Sequence, residues 1–153
     1  MQTIGFPEVS VAGLEASPVA EALAGVRANE ARYFSNKFKT EYVTYTPEEK
    51  PDVVAWVQKI LADERGIVFA APVLEVFVYD DDDVYWPSVY LANGVAVNVL
   101  YEKAAGGKRA VGFKLAMGAE PPAELAAFKW ARQKSKIAGE IRGSFFVIKG
   151  EYL

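Results

Sequence analysis

The sequence contains neither cysteine nor histidine in its 153 residues. Disulfides, thiolate nucleophiles and zinc-thiolate sites are therefore excluded, as are imidazole bases and imidazole ligands. Long apolar runs are missing too. The longest, Ile67 to Leu74, is interrupted by Pro72 and falls far short of the roughly 20 residues that span a bilayer. No basic start leads into an apolar run and a small-residue cleavage site, so the expectation is a soluble, cytoplasmic protein without membrane contact. Catalytic signatures are also absent. No G-x-S-x-G, S-x-x-K, G-x-x-x-x-G-K or G-x-G-x-x-G segment occurs, and Gly106-Gly107-Lys108 reads as a turn. These absences point away from an enzyme and call for no cofactor.

The composition present is that of a globular protein, with 52% hydrophobic and 24% charged residues in a chain the size of one domain. Residues 1–16 carry Gly5, Pro7 and Gly13 without helical period and read as an extended N-terminal arm. Residues 17–153 read as a single α+β domain: a mostly antiparallel sheet of about five strands, formed by a β-meander and a C-terminal strand, packed with about three helices.

The meander runs from Val73 to Met117. Asn93-Gly94 suits a two-residue type I′ loop, which needs φ > 0 at both centres. That loop would pair Ala92 with Val95, Tyr90 with Val97 and Ser88 with Val99, putting an aromatic and branched face on one side. In the next strand Val111, Phe113, Leu115 and Met117 alternate with Ala110, Gly112, Lys114 and Ala116, and the apolar set belongs under Val97 and Val99. Both faces of the sheet carry apolar residues, so both must be covered. Pro87 lacks the N–H that an inner strand requires and predicts an irregularity.

Three helices are expected around the sheet. Ser17-Pro18 opens the first, with Val19, Leu23 and Val26 leading toward Phe34 and a stop near Asn36. Phe38, Tyr42 and Tyr45 then follow beside Lys37 and Lys39 and read as a short strand. Thr46 and Glu49 fit a capping box ahead of the second helix, in which Val53, Trp56, Val57, Ile60 and Leu61 recur at helical spacing before Arg65-Gly66. The third is expected from Glu124 to about Lys136, followed by a last strand from Ile141 to Ile148.

That third helix would gather Lys129, Arg132, Gln133 and Lys136 into one stripe beside Trp130 and Lys134. Charge is asymmetric along the chain. Residues 1–102 hold seven Lys/Arg against sixteen Asp/Glu, and residues 103–153 hold ten against four, a net −9 and +6 within the overall −3. Single strands of nucleic acid are held by cations that follow phosphates and by aromatic faces on which bases stack. The expected function is therefore single-stranded nucleic-acid binding. Lys114, Lys129, Arg132, Lys136 and Arg142 would contact phosphates, Trp130 and Tyr85 would stack bases, and the small-residue face of Ala96, Asn98, Ala110 and Gly112 would admit the strand. The alternative is a self-assembling structural or interaction module, a homo-oligomer whose arm lies on a neighbour. The acidic run Asp80 to Asp83 fails the EF-hand pattern, because Tyr85 and Leu91 occupy its sixth and twelfth positions, and reads as a solvated hairpin tip without metal.

Overall fold

The computed structural model of the chain describes residues 18–116, 119–120, 122–125, 130–137 and 140–148. The expected arm, residues 1–16, lies outside them. Two α-helices, α1 (Pro18–Phe38) and α2 (Pro51–Arg65), precede β1 (Val73–Asp80), β2 (Val84–Leu91), β3 (Val95–Glu102) and β4 (Lys108–Ala116). These four strands form an antiparallel meander, and the fold is α+β. Two more strands, β5 (Trp130–Ile137) and β6 (Glu140–Ile148), extend the sheet to the order β1-β2-β3-β4-β6-β5.

The expected third helix is corrected. Ala123–Leu125 makes a single 3-10 turn, and Trp130–Ile137 is a strand. Its sequence satisfies two periods at once: Trp130, Arg132, Lys134 and Lys136 alternate with Ala131, Gln133, Ser135 and Ile137, a pattern as compatible with a strand as with a helix. The neighbouring Phe145-Phe146-Val147-Ile148 is a strong strand former, and pairing with it, Trp130 to Ile148 and Arg132 to Phe146, gives the backbone its partners. The C-terminal strand is thus one arm of a hairpin, with β6 inserted between β4 and β5.

The capping box expected for α2 forms ahead of the helix: Thr46 and Glu49 exchange the reciprocal bonds, backbone N to Oε1 at 2.8 Å and backbone N to Oγ1 at 3.2 Å, and close a separate turn, while α2 itself begins at Pro51 after Lys50, which makes no side-chain cap bond. At its other end Gly66 turns left-handed at φ 64°, and Gly66 and Ile67 donate back to Ala62 and Leu61. α1 runs past Asn36 to Phe38. The short strand expected over Phe38 to Tyr45 reduces to one bridge, where Tyr45 and Val76 exchange two backbone bonds of 2.8 Å.

The β2–β3 register differs from expectation by one residue. Gly94 donates to the Leu91 carbonyl at 3.1 Å and only Gly94 of the Asn-Gly pair has positive φ, at 91°. The loop is therefore a three-residue turn closed by a left-handed glycine, in place of the two-residue I′ loop. Ser88 pairs with Asn98, Val89 with Val97 and Tyr90 with Ala96. A slip of one exchanges faces. Val89, Leu91, Val95, Val97 and Val99 lie under α2 with Val111, Phe113 and Leu115, around Val57 and Leu61. The opposite face carries Ser88, Tyr90, Ala96 and Asn98. Pro87 interrupts the same ladder, which runs through Tyr85 and Tyr101 and resumes at Ser88 and Asn98.

α1 covers that second face, with Leu23 and Val26 packed on Tyr90, Ala96 and Ala116. Ala96 and Asn98 are buried, so the small-residue face is closed to a nucleic-acid strand. At its C-terminal end α1 sinks Phe34 among the rings of Phe38, Tyr42, Phe77, Tyr79 and Trp86, with centroids 4.8 to 5.9 Å away. Burying one such ring stabilises the fold by roughly 1.5–3 kcal/mol from area alone.

Candidate nucleic-acid interface

The residues expected to bind nucleic acid divide into two groups. Trp130, Arg132 and Lys136 belong to β5, the outer strand of the sheet, and Arg142 belongs to β6, paired with it. The β5–β6 register shifts between Ser135 and Lys136, opposite Gly143 and Ile141, so Arg142 sits at the irregularity beside Lys136. One two-stranded ribbon thus carries Trp130, Arg132, Lys134, Lys136 and Arg142. Lys129 immediately precedes it in sequence and lies outside the described residues.

Lys114 and Tyr85 are elsewhere. Tyr85, on β2, is half-buried with its ring 4.8 Å from that of Trp56 on α2, edge to face, and burial together with nearby Asp80 raises its pKa. Lys114, on β4, lies 3.8 Å from the carboxylate of Glu30. Of the other aromatic candidates, Tyr42 is stacked on Phe77 at 3.8 Å and Phe146 is paired with Arg132 in β6.

Lys114 leads to a cluster that the sequence reading did not find. Glu30 of α1 is 3% exposed, and it accepts hydrogen bonds from Tyr90 Oη at 2.8 Å, Asn98 Nδ2 at 2.7 Å and Ser88 Oγ at 3.2 Å. Asn98 Nδ2 also donates to Ser88 Oγ at 2.6 Å, and the Tyr42 hydroxyl bonds that of Tyr90. Every polar group facing the carboxylate is a donor, which is how a buried charge is tolerated. The phenols are held neutral: burial, then the Glu30 charge, pushes both Tyr42 and Tyr90 far above the usual tyrosine range. Just outside, Arg27 pairs with Glu75. With Glu30, Ser88, Tyr90 and Asn98 all buried, the cluster ties α1 to the sheet. The one-residue register error concealed it by assigning Ser88 and Asn98 to opposite faces. A local signal did exist: Glu30 stands in the same helical line as Leu23, Val26 and Phe34, a carboxylate at a core position.

The charge asymmetry is partly spent inside the chain. Lys103 to Asp80 at 2.6 Å, Arg109 to Glu64 at 2.9 Å and Lys114 to Glu30 each join the basic third to the acidic remainder. At the acidic tip, Asp81 accepts from the backbone N–H groups of Asp83 and Val84, at 2.7 and 2.8 Å, and from Tyr79 Oη at 2.7 Å. Those bonds, the tyrosine's foremost, hold its carboxyl below the usual range. The run shapes a turn, and among the described residues no group of acidic side chains is arranged to hold a metal ion.

A third arrangement lies on α1. Asn29, Arg32, Tyr33, Asn36 and Lys37 line a concavity of about 430 Å³. Lys37 Nζ donates to Tyr33 Oη at 3.0 Å. No helix among the described residues is long and apolar enough to cross a membrane. A family model described as a domain of unknown function (DUF8821) matches residues 3–148. No curated protein and no solved structure matches the chain.

Proposed function

We propose that this chain, which belongs to that family of unknown function, is a non-enzymatic protein that binds single-stranded nucleic acid along the β5–β6 ribbon. The observation that carries the reading is the gathering of Trp130, Arg132, Lys136 and Arg142 on two paired strands at one border of the sheet. A strand rises about 3.3 Å per residue, so alternate cations recur every ~7 Å, close to the spacing of phosphates along an extended single strand. Trp130, at the start of the same strand, would offer a stacking surface worth ~1–3 kcal/mol per base. The test is fluorescence anisotropy of a labelled thymidine oligomer, with duplex of equal length as control. Binding should favour the single strand and weaken as salt rises. Arg132→Ala with Lys136→Ala should flatten the slope of log K on log salt by about 1.4, the loss of two phosphate contacts. An unchanged affinity and slope would show that these cations do not touch phosphate.

Self-assembly is the second reading, favoured by one observation: β5 is one of the two outer strands of the sheet, with β6 on its inner side only. A chain that assembles through this border, with residues 1–16 laid on a neighbour, forms a defined oligomer without nucleic acid. Light scattering of the protein alone reads that outcome directly.

A further inference from the structure

The stripe on α1 has a different chemistry from the ribbon. Asn29, Arg32, Tyr33, Asn36 and Lys37 recur at i, i+3, i+4, i+7 and i+8, so they share one side of the helix and line the concavity of about 430 Å³. That size falls within the range of small-molecule sites. From Ala31 to Thr40 the chain has Arg32, Lys37 and Lys39 and no acidic residue. The C-terminal end of a helix carries about half a negative charge, which three cations outweigh.

Each lining side chain supplies one element of recognition. Arg32 makes no ion pair among the described residues, and its guanidinium fork suits a phosphate. Lys37, held over the Tyr33 and Phe38 rings at 5.5 Å, adds a second cation. Tyr33 is 42% exposed, yet its ring is fixed edge to face against Phe34 and Trp86, so it is a rigid platform whose ordering costs nothing more on binding. Asn29 and Asn36 each present a donor and an acceptor, which is what the edge of a heteroaromatic ring demands.

We infer that this concavity binds a nucleoside phosphate, with the phosphate on Arg32 and Lys37, the base against Tyr33 and its edge read by Asn29 and Asn36. The site does not depend on the β5–β6 ribbon. Tyr33 packs on Trp86 of β2, which the strand order separates from β5 by four inter-strand steps, about 19 Å.

Calorimetric titration of the full chain with adenosine monophosphate, adenosine and inorganic phosphate tests it. Adenosine monophosphate should bind, and each fragment should bind at least about tenfold more weakly, because each lacks one set of contacts. Arg32→Ala with Lys37→Ala should cost the nucleotide about tenfold or more while leaving adenosine unaffected, and Tyr33→Leu should cost both ligands that carry the base. Arg32 and Lys37 are exposed, so that double variant keeps the fold, and circular dichroism checks the same for Tyr33→Leu, whose ring packs on Phe34 and Trp86. Arg132→Ala with Lys136→Ala must leave nucleotide binding unchanged, which separates this site from the ribbon. No binding of the nucleotide overturns the inference, and so does equal binding of nucleotide and free phosphate.

Discussion

Replacing Glu30 with leucine removes the one acceptor on which three buried donors converge. Tyr90, Ser88 and Asn98 each lose a bond of 2.7 to 3.2 Å, while the Asn98–Ser88 and Tyr42–Tyr90 bonds remain. Each orphaned donor costs about 1–3 kcal/mol, and the buried leucine returns about 1.5–3 kcal/mol. Lys114 keeps 19% of its side chain in contact with solvent and adds little. At about 2 kcal/mol for each donor the balance is a loss of about 3–5 kcal/mol, in the range of other broken buried pairs. For a domain of this size that lowers Tm by roughly 6–20 °C. Urea unfolding followed by circular dichroism measures it, with an unchanged m-value confirming that the native state is still reached. The triple variant Glu30→Leu, Ser88→Ala, Asn98→Leu removes two of the three orphans along with the acceptor, Tyr90 keeping its bond to Tyr42, and should recover much of the loss. If Glu30→Leu alone stays within about 1 kcal/mol of the parent, the donors have other partners and this tie between α1 and the sheet does not exist.

Alkaline unfolding should be cooperative. The folded pKa of Tyr42 and Tyr90 lies above the unfolded value of about 10, so their contribution is complete below pH ~10 and is lost as pH rises above it. Their tyrosinate absorbance should therefore appear together with the loss of circular dichroism, and separate ionisation in a folded protein would contradict their burial. Phe34→Ala should cost about 3–5 kcal/mol by denaturant titration, since the ring is 2% exposed and surrounded by six other rings. Gly107→Ala should destabilise by about 1 kcal/mol or more: φ is +79°, and the new methyl would meet Tyr101 Oη at 2.9 Å. In that background Tyr101→Ala should recover the steric part and leave the backbone part, as a double-mutant cycle will read.

Local chemistry made part of this fold legible. The turn closed by Thr46 and Glu49 and the Gly66 cap that ends α2 follow from residues only a few positions apart. The alternation Val111, Phe113, Leu115 could be read because one buried face enforces it. The β2–β3 register could not, since Asn93-Gly94 fits both a two-residue and a three-residue loop, and the choice rests on whether Ser88 and Asn98 meet across strands to hold Glu30, 58 and 68 residues away in sequence. Likewise the cations of β5 fit a helical stripe and a strand equally well. Pairing with β6 decided between them, and pairing is non-local. The α1 stripe was legible in spacing alone but gave no reason to be singled out until Tyr33 was found clamped against Trp86.

The bridge between Tyr45 and Val76 also limits how copies of this chain can join. It occupies the outward backbone of β1 at mid-strand, and Pro47 follows two residues on. A sheet that grows by edge addition needs an acceptor edge at each end, as a linear polymer needs two reactive groups per monomer. With β1 bridged there, the edge left open among the described residues is β5. Two monomers that joined through it would consume each other's edge and stop, so edge addition through β5 would favour a two-fold pair over a fibre.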